Sequence, residues 1–93
     1  MTHDERIKVT VHYMAAERPF RDEVKADEAE GNFKQTALSA FGLTEGQTPD
    51  GNTVTYTLYH DGRPLENPDE TIGRIAEGRD HLQLKLSQQI VQG

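Results

Sequence analysis

The chain closes with a short polar segment, residues 87–93, whose last residue is Gly93. Just before it, Leu82, Leu84 and Leu86 alternate with polar residues, which is typical of a strand with one buried face. The alternation stops after Leu86, so the sequence predicts a flexible tail over residues 87–93. A glycine ending such a tail could offer its own carboxylate as a reactive group, because a residue without Cβ lets an enzyme approach the carbonyl closely. The alternative is an ordinary chain end that happens to carry glycine.

Few other residues could do chemistry. The chain has no Cys, which excludes disulfides, thiolate metal sites and a cysteine nucleophile. Asp61 precedes Gly62, where a tight turn explains the pair better than acid–base catalysis does. The histidines do not fall at metal-ligand spacings; they are His3, His12, His60 and His81. Without a Ser-His-Asp set, a phosphate loop or a dinucleotide motif, the sequence predicts no catalytic residue, no metal site and no cofactor, and therefore no enzyme.

Composition and charge limit the partners. A chain of 93 residues with 33% hydrophobic residues can build one small core. The formal charge is −6, and the acidic stretches at 22–23, 27–30 and 66–70 are most simply solvated surface. Such a surface would repel a phosphate backbone, so we expect no nucleic acid partner. No apolar run approaches the ~20 residues of a membrane span, and the first residues do not resemble a signal peptide. We therefore expect a cytoplasmic protein without a membrane partner.

The first half of the chain predicts a hairpin followed by a helix. Apolar and polar residues alternate over residues 7–13, residues 14–19 suit a turn, and residues 20–26 suit a returning strand. Asp27 is a candidate cap for the next helix. The helix is predicted from the spacing of Phe33, Ala37, Leu38 and Phe41, and Gly42 is well placed to end it, with Leu43 packing behind.

The second half predicts short strands around a tight turn. Residues 44–52 suit a loop and residues 54–59 a strand, after which Asp61 and Gly62 suit a hairpin turn. Residues 63–65 form a stub that Pro64 confines to a sheet edge. A turn at 67–70, a helical turn at 71–76 with Ile72 and Ile75 inward, and the leucine strand complete the order. We predict an α+β domain over residues 7–86, a mixed sheet of about five strands with one packed helix, between a flexible N-terminus (1–6) and the tail.

The second half of this domain resembles ubiquitin. The stretch from Leu58 to Glu66, the pair Thr71-Ile72 and the strand from His81 to Leu86 are similar to it in residue types, order and nearly in spacing, whereas residues 7–57 agree less closely. The resemblance implies a ubiquitin-like β-grasp fold and a protein modifier. In such a modifier an activating enzyme adenylates the terminal glycine with ATP, and a conjugating enzyme passes it to a target protein. Within the family, the chain looks most like divergent bacterial ubiquitin-like proteins, which are encoded with metal-dependent deconjugating peptidases and are in some cases linked to antiphage defence.

The resemblance also implies site residues. Gly93 would form the isopeptide bond, and Ile90, Val91 and Gln92 would be the tail that the activating enzyme receives. Gln92 is a departure, since many such modifiers have a second glycine there. Met14, Tyr59 and Lys85 occupy the places of a partner-binding patch, although scattered surface residues would look the same. Two other functions stay open: a sulfur carrier that uses a C-terminal thiocarboxylate, and a β-grasp interaction domain that does not conjugate.

Overall fold

The computed structural model of the protein describes residues 6–92. It contains six strands and two helices. In chain order these are β1 (Arg6–Tyr13), β2 (Phe20–Lys25), α1 (Glu30–Phe41), β3 (Gly46–Gln47), β4 (Thr53–His60), β5 (Arg63–Pro64), α2 (Ile72–Ala76) and β6 (His81–Val91). The predicted hairpin, helix, central strand, edge stub and helical turn are all confirmed. Within the described part of the chain, no helix is long and apolar enough to cross a membrane.

The strands form one mixed sheet in the order β2-β1-β6-β4-β3, and β5 also pairs with β4. β1 and β6 come from opposite ends of the chain and lie side by side as the parallel pair at the centre. The other pairings are antiparallel. This arrangement confirms the predicted α+β class, with the addition of the two-residue strand β3 inside the segment that was predicted to be only a loop.

The core lies between one face of the sheet and the two helices. Residues that alternate along β1, β4 and β6 point into it, as the sequence pattern predicts. The largest fully buried side chains are Phe33, Leu58, Ile72, Leu84, Val9 and Val11. All the other alternating leucines of β6 up to Leu86 are also buried. Within residues 6–92 no helix covers the opposite face of the sheet, so the residues between the buried ones face solvent.

Helix α1 begins later than predicted, and Asp27 does not cap it. The N-cap residue is Ala29, which makes no side-chain capping hydrogen bond. Instead, the first helical N–H groups donate to carbonyls of the turn before α2: the N–H of Glu30 to Glu70 at 2.7 Å and that of Gly31 to Pro68 at 3.0 Å. Capping by a distant loop replaces capping by a neighbouring side chain, which a local pattern cannot show.

The predicted helix end and hairpin turn are confirmed. Gly42 has the left-handed conformation, with φ of 72°, and the N–H of Leu43 donates to the carbonyl of Leu38 at 2.8 Å. In the turn between β4 and β5, Asp61 and Gly62 both have positive φ, 51° and 80°. Pro64 lies in β5, which pairs only with β4 and therefore lies at an edge as expected.

Strand β6 continues to Val91, so the predicted strand end at Leu86 is wrong, and residues 87–91 are not an unpaired tail. β4 starts at Thr53, which pairs with Val91, and the whole length of residues 85–91 faces this antiparallel partner. Two side-chain hydrogen bonds join the strands: Thr57 Oγ1 donates to Gln89 Oε1 at 2.9 Å, and Gln88 Nε2 donates to the Tyr56 hydroxyl at 3.1 Å. The alternation ends at Leu86 because the core ends there, whereas the backbone pairing does not. At the other terminus, Arg6 already belongs to β1.

Candidate functional site

Met14, Tyr59 and Lys85, which are far apart in sequence, lie together on the solvent-facing side of the sheet. Tyr59 in β4 is the direct cross-strand partner of Lys85 in β6. Lys85 also lies opposite His12 in β1. Met14 follows the end of β1 immediately, and its side chain is fully exposed. The geometry thus brings the three predicted patch residues together, and their binding role stays a prediction.

These three residues line one hollow of about 970 Å³. One wall is the turn after β1, including Ala16 and Pro19, and the opposite wall is the hairpin turn at Asp61 and Gly62. The floor is the backbone of β6 around Lys85. A flexible thioether, an aromatic ring and an ammonium group at one hollow suit an apolar protein segment with a polar rim.

The terminal strand forms a second feature, here called the arm, residues 87–91. The last pair between β1 and β6 is Tyr13 with Leu86, so beyond this point β6 pairs only with β4. Ile90 and Val91 are 57% and 60% exposed, on opposite sides of the strand. Gln92 follows the strand, and Gly93 lies outside the described residues. The predicted tail residues therefore begin on a paired strand and not on a free coil.

One edge of the arm is open. The N–H of Lys8 donates to the carbonyl of Asp80 at 2.9 Å, and in a parallel ladder this fixes which β6 residues bond to β1. The even-numbered residues from Leu82 onward turn their N–H and C=O groups toward β1, and the odd-numbered residues turn theirs toward β4. Past the end of β1, the peptide groups of Gln88 and Ile90 consequently face an unoccupied edge, which can accept an added strand.

The histidines are distributed over separate places. His12 Nε2 lies 3.3 Å from Gln83 Oε1, His60 Nε2 lies 3.7 Å from an Asp61 carboxylate oxygen, and His81 Nδ1 lies 2.9 Å from Asp80. His3 is outside the described residues. Over residues 6–92, no three His, Asp or Glu side chains converge in a way that could hold a metal ion.

A cleft between α1 and β4 contains carboxylates that the sequence analysis missed. It has a volume of about 420 Å³ and is lined by Glu30, Lys34, Glu45 and Glu66 among others. Glu30 is only 3% exposed, and in the described chain its Oε2 atom has no hydrogen-bond partner. Treating 27–30 as solvated surface was therefore wrong for Glu30. The helical spacing indicates this burial, since Glu30 precedes Phe33 by three residues and therefore falls on the buried face of α1.

Glu30 and the partly exposed Glu45, two carboxylates of this cleft, titrate differently. Burial raises the pKa of the Glu30 carboxyl, the Lys34 ammonium partly offsets that rise, and Glu70 and Glu45 add to it. Burial would also raise the pKa of Glu45. There, however, the N–H of Tyr56 donates at 2.8 Å and Lys34 Nζ lies at 3.1 Å, and these contacts lower the pKa overall. Glu45 also occupies the edge of β4 between β3 and β5, where it satisfies a backbone N–H that has no strand partner.

The chain is similar in structure to ubiquitin-like proteins. Ubiquitin from Caldiarchaeum subterraneum gives a TM-score of 0.68 at 20% identity, with 95% of this chain and 99% of that chain covered. The UBL domain of yeast Ddi1 gives 0.67 at 13%, with both chains covered completely. A structure described as molecular mimicry of SUMO gives 0.69 at 14%, covering 92% of this chain and 95% of the other. No protein-family model and no curated protein matches the sequence. The fold is a ubiquitin-like β-grasp.

Proposed function

We propose that this protein is a modifier: an activating enzyme and a conjugating enzyme would join its Gly93 carboxylate to a target protein. The observation that supports this proposal is the arm. Strand β6 carries residues 87–91 past the end of β1, so the last described residues leave the body with only β4 beside them. Exposed Ile90 and Val91 at its end offer apolar contacts to an enzyme. A carboxylate at residue 93, whether free or released by a peptidase, would lie just beyond these contacts.

The chemistry requires activation because a carboxylate does not acylate an amine by itself. A carboxylate oxygen of Gly93 would attack the α-phosphate of ATP, and pyrophosphate would leave. An enzyme thiol would then attack the acyl adenylate, releasing AMP and forming a thioester. Attack by a lysine amine of the target would form the amide and return the thiol. A peptidase would undo the modification by hydrolysing this amide, which returns the Gly93 carboxylate and the lysine amine.

This chain's own residues would bind and orient. The open peptide groups of Gln88 and Ile90 could pair with a strand of the activating enzyme and thus fix the direction in which the terminus points. Glycine at position 93 would leave room around the reacting carbonyl. Partners that recognise the intact modifier would bind the hollow at Met14, Tyr59 and Lys85. The chain would supply no catalytic group and would therefore not itself be an enzyme.

The sequence resemblance alone extends this proposal to a bacterial pathway. There the modifier would act in the cytoplasm, where ATP is available, and in some hosts in antiphage defence.

A second candidate is a β-grasp interaction domain that does not conjugate. The specific observation in its favour is the pairing of residues 87–91 with β4, since a paired strand must separate before it can thread an enzyme channel. In that case the hollow around Tyr59 would be the functional surface, and the arm would enlarge the sheet.

The mass of the protein recovered from its own host separates these functions. We expect an N-terminally tagged full chain to appear as higher-mass adducts that digestion resolves into Gly93 linked to target lysines. A chain lacking Gly93 should form none, because losing one residue withdraws the carboxylate by about 3.5 Å. Thermal unfolding of both chains controls for folding. Replacement of one terminal oxygen by sulfur would identify a sulfur carrier, and an unchanged mass in all conditions would favour the interaction domain.

A further inference from the structure

The solvent-facing side of the sheet is cationic although the chain as a whole is acidic. Strand register determines which residues share that side: Lys8 lies opposite Glu23 of β2 and His81 of β6, and Thr10 lies opposite Arg21 and Gln83. Extending the alternation gives five Lys or Arg side chains on this side, half of the ten in the sequence. They are Arg6, Lys8, Arg21, Lys25 and Lys85, all of them exposed.

Acidic groups are almost missing from the same surface. Glu23 is the one carboxylate among the outward positions of β1, β2, β4 and β6 within residues 6–92, against sixteen Asp and Glu in the whole sequence. Three ion pairs occur within residues 6–92: Lys34 with Glu45, His60 with Asp61, and His81 with Asp80. None of them includes a Lys or Arg of this face. The positive charge of the face is therefore not neutralised by ion pairs among these residues.

The face is also concave at its centre. A hollow of about 520 Å³ lies across β2, β1 and β6, and Lys8, His12, Arg21 and His81 line it together with Thr10 and Gln83. Two carboxylates, Asp22 and Glu23, line it too, and one Asp22 carboxylate oxygen already accepts the N–H of Glu23 at 2.9 Å. Hydroxyl, amide and imidazole groups between two cationic side chains are suited to bind carboxylates.

We propose that this cationic face, centred on Lys8 and Arg21, is a docking surface for an acidic segment of a partner protein. Charge complementarity indicates the partner. The cationic face attracts carboxylates, whereas the acidic remainder of the surface attracts basic partners. The proposal is independent of any reaction at Gly93, and its central residues, Lys8 and Arg21, lie outside the hollow at Met14 and Tyr59.

An acidic protein fits this face better than a nucleic acid does. A long polyanion would extend past the face and meet the surplus of acids that makes the net charge −6. Binding of single strands also uses aromatic side chains as stacking platforms. The outward residues around Lys8 and Arg21 include no Phe, Tyr or Trp: the neighbouring positions are Thr10, Glu23, His81 and Gln83.

The test is a titration of the isotope-labelled full chain with an acetylated, amidated hexaglutamate peptide, followed by amide chemical shifts. We expect saturable shifts centred on the hollow of the cationic face, at Lys8, Thr10, Arg21 and Gln83. A hexaglutamine peptide should cause none. The affinity should fall as salt is added, because the contacts are exposed charges. Shifts that do not saturate, or that lie elsewhere on the molecule, would overturn the proposal.

Paired charge reversals distinguish the face from net charge. Lys8→Glu with Arg21→Glu should weaken peptide binding about tenfold, whereas Arg63→Glu with Arg74→Glu should change it less than about twofold. Both double variants lower the net charge by the same amount. Lys8→Gln with Arg21→Gln, a milder change for a strand, should give an intermediate loss. Equal losses in the two reversed variants would mean that only net charge matters. Tighter binding of an oligothymidine of equal charge at this face would establish a nucleic-acid site and overturn the acidic-protein proposal.

Discussion

Glu30 and Glu45 line the same cleft, yet their pKa values move in opposite directions because their surroundings differ. The Oε2 atom of Glu30 is buried without a partner in the described chain, so its charged form is disfavoured. Glu45 receives a backbone N–H and an ammonium group, so its charged form is favoured. Acid should therefore change the contribution of each residue to stability with opposite sign.

For Glu30 we expect replacement by glutamine to stabilise the protein by about 1 kcal/mol near pH 7 and to have no such effect near pH 4. The raised pKa means that the folded chain holds the proton more tightly than the unfolded chain. The contribution of Glu30 to the stability of the parent is thus highest below the ordinary pKa of 4.5 and declines as the pH rises toward the folded pKa. Urea unfolding across this pH range measures the difference. A pH-independent Glu30→Gln effect would contradict the explanation.

For Glu45 we expect Glu45→Ala to lower the free energy of unfolding by about 1–3 kcal/mol at neutral pH, because the Tyr56 N–H loses its acceptor. Glu45→Gln keeps an oxygen at that place and should lose less. The lowered pKa gives a contribution that is present above pH 4.5 and is lost as the pH falls through the folded value. Chemical unfolding of the three proteins tests this order, and equal losses in both variants would point to the ion pair with Lys34 instead.

At the scale of elements, the sequence pattern succeeds where the determining contacts are local. Alternation predicts β1 and β4, Gly42 ends α1, and Asp61 with Gly62 forms the turn. Alternation likewise places Tyr59 and Lys85 on the solvent-facing side. The pattern fails where distant residues decide: the start of α1 depends on carbonyls of the turn at 67–70, and the end of β6 depends on where β4 begins. The cationic face also requires the order of the strands, because β1 and β6 become neighbours only in the folded sheet.

Amide hydrogen exchange can test the arm directly. We expect the N–H groups of Ser87 and Gln89, which point toward β4, to exchange slowly, and those of Gln88 and Ile90, which point to the open edge, to exchange quickly. Thr57→Val, which removes the hydroxyl bonded to Gln89, should speed exchange at Gln89. Fast exchange at all four positions would show that the strand opens after Leu86 in solution, as the hydrophobic alternation predicts. Pairing with a strand supplied by a partner should slow amide hydrogen exchange at Gln88 and Ile90 selectively.

At the scale of the whole molecule, the protein consists of a body that holds the core and an arm that extends it, consistent with principal dimensions of 52 × 27 × 22 Å. Within residues 6–92, every buried hydrophobic side chain lies at or before Leu86. The arm therefore contributes backbone pairing and two side-chain hydrogen bonds but no core. Stability and tail chemistry should be separable by mutation.

Deletion of residues 88–93 should accordingly leave the body folded and reduce the free energy of unfolding by no more than about 1 kcal/mol, since only partly exposed hydrogen bonds are lost. By contrast, Leu84→Ala should lose about 2–5 kcal/mol, because it removes a side chain that is 1% exposed and leaves a cavity in the core. Denaturant melts of the full chain, the truncated chain and the Leu84 variant measure both effects. A truncated chain as unstable as the Leu84 variant would make the arm part of the fold. Its pairing with β4 would then be a structural requirement, and release of the strand to an activating enzyme would carry a matching loss of stability.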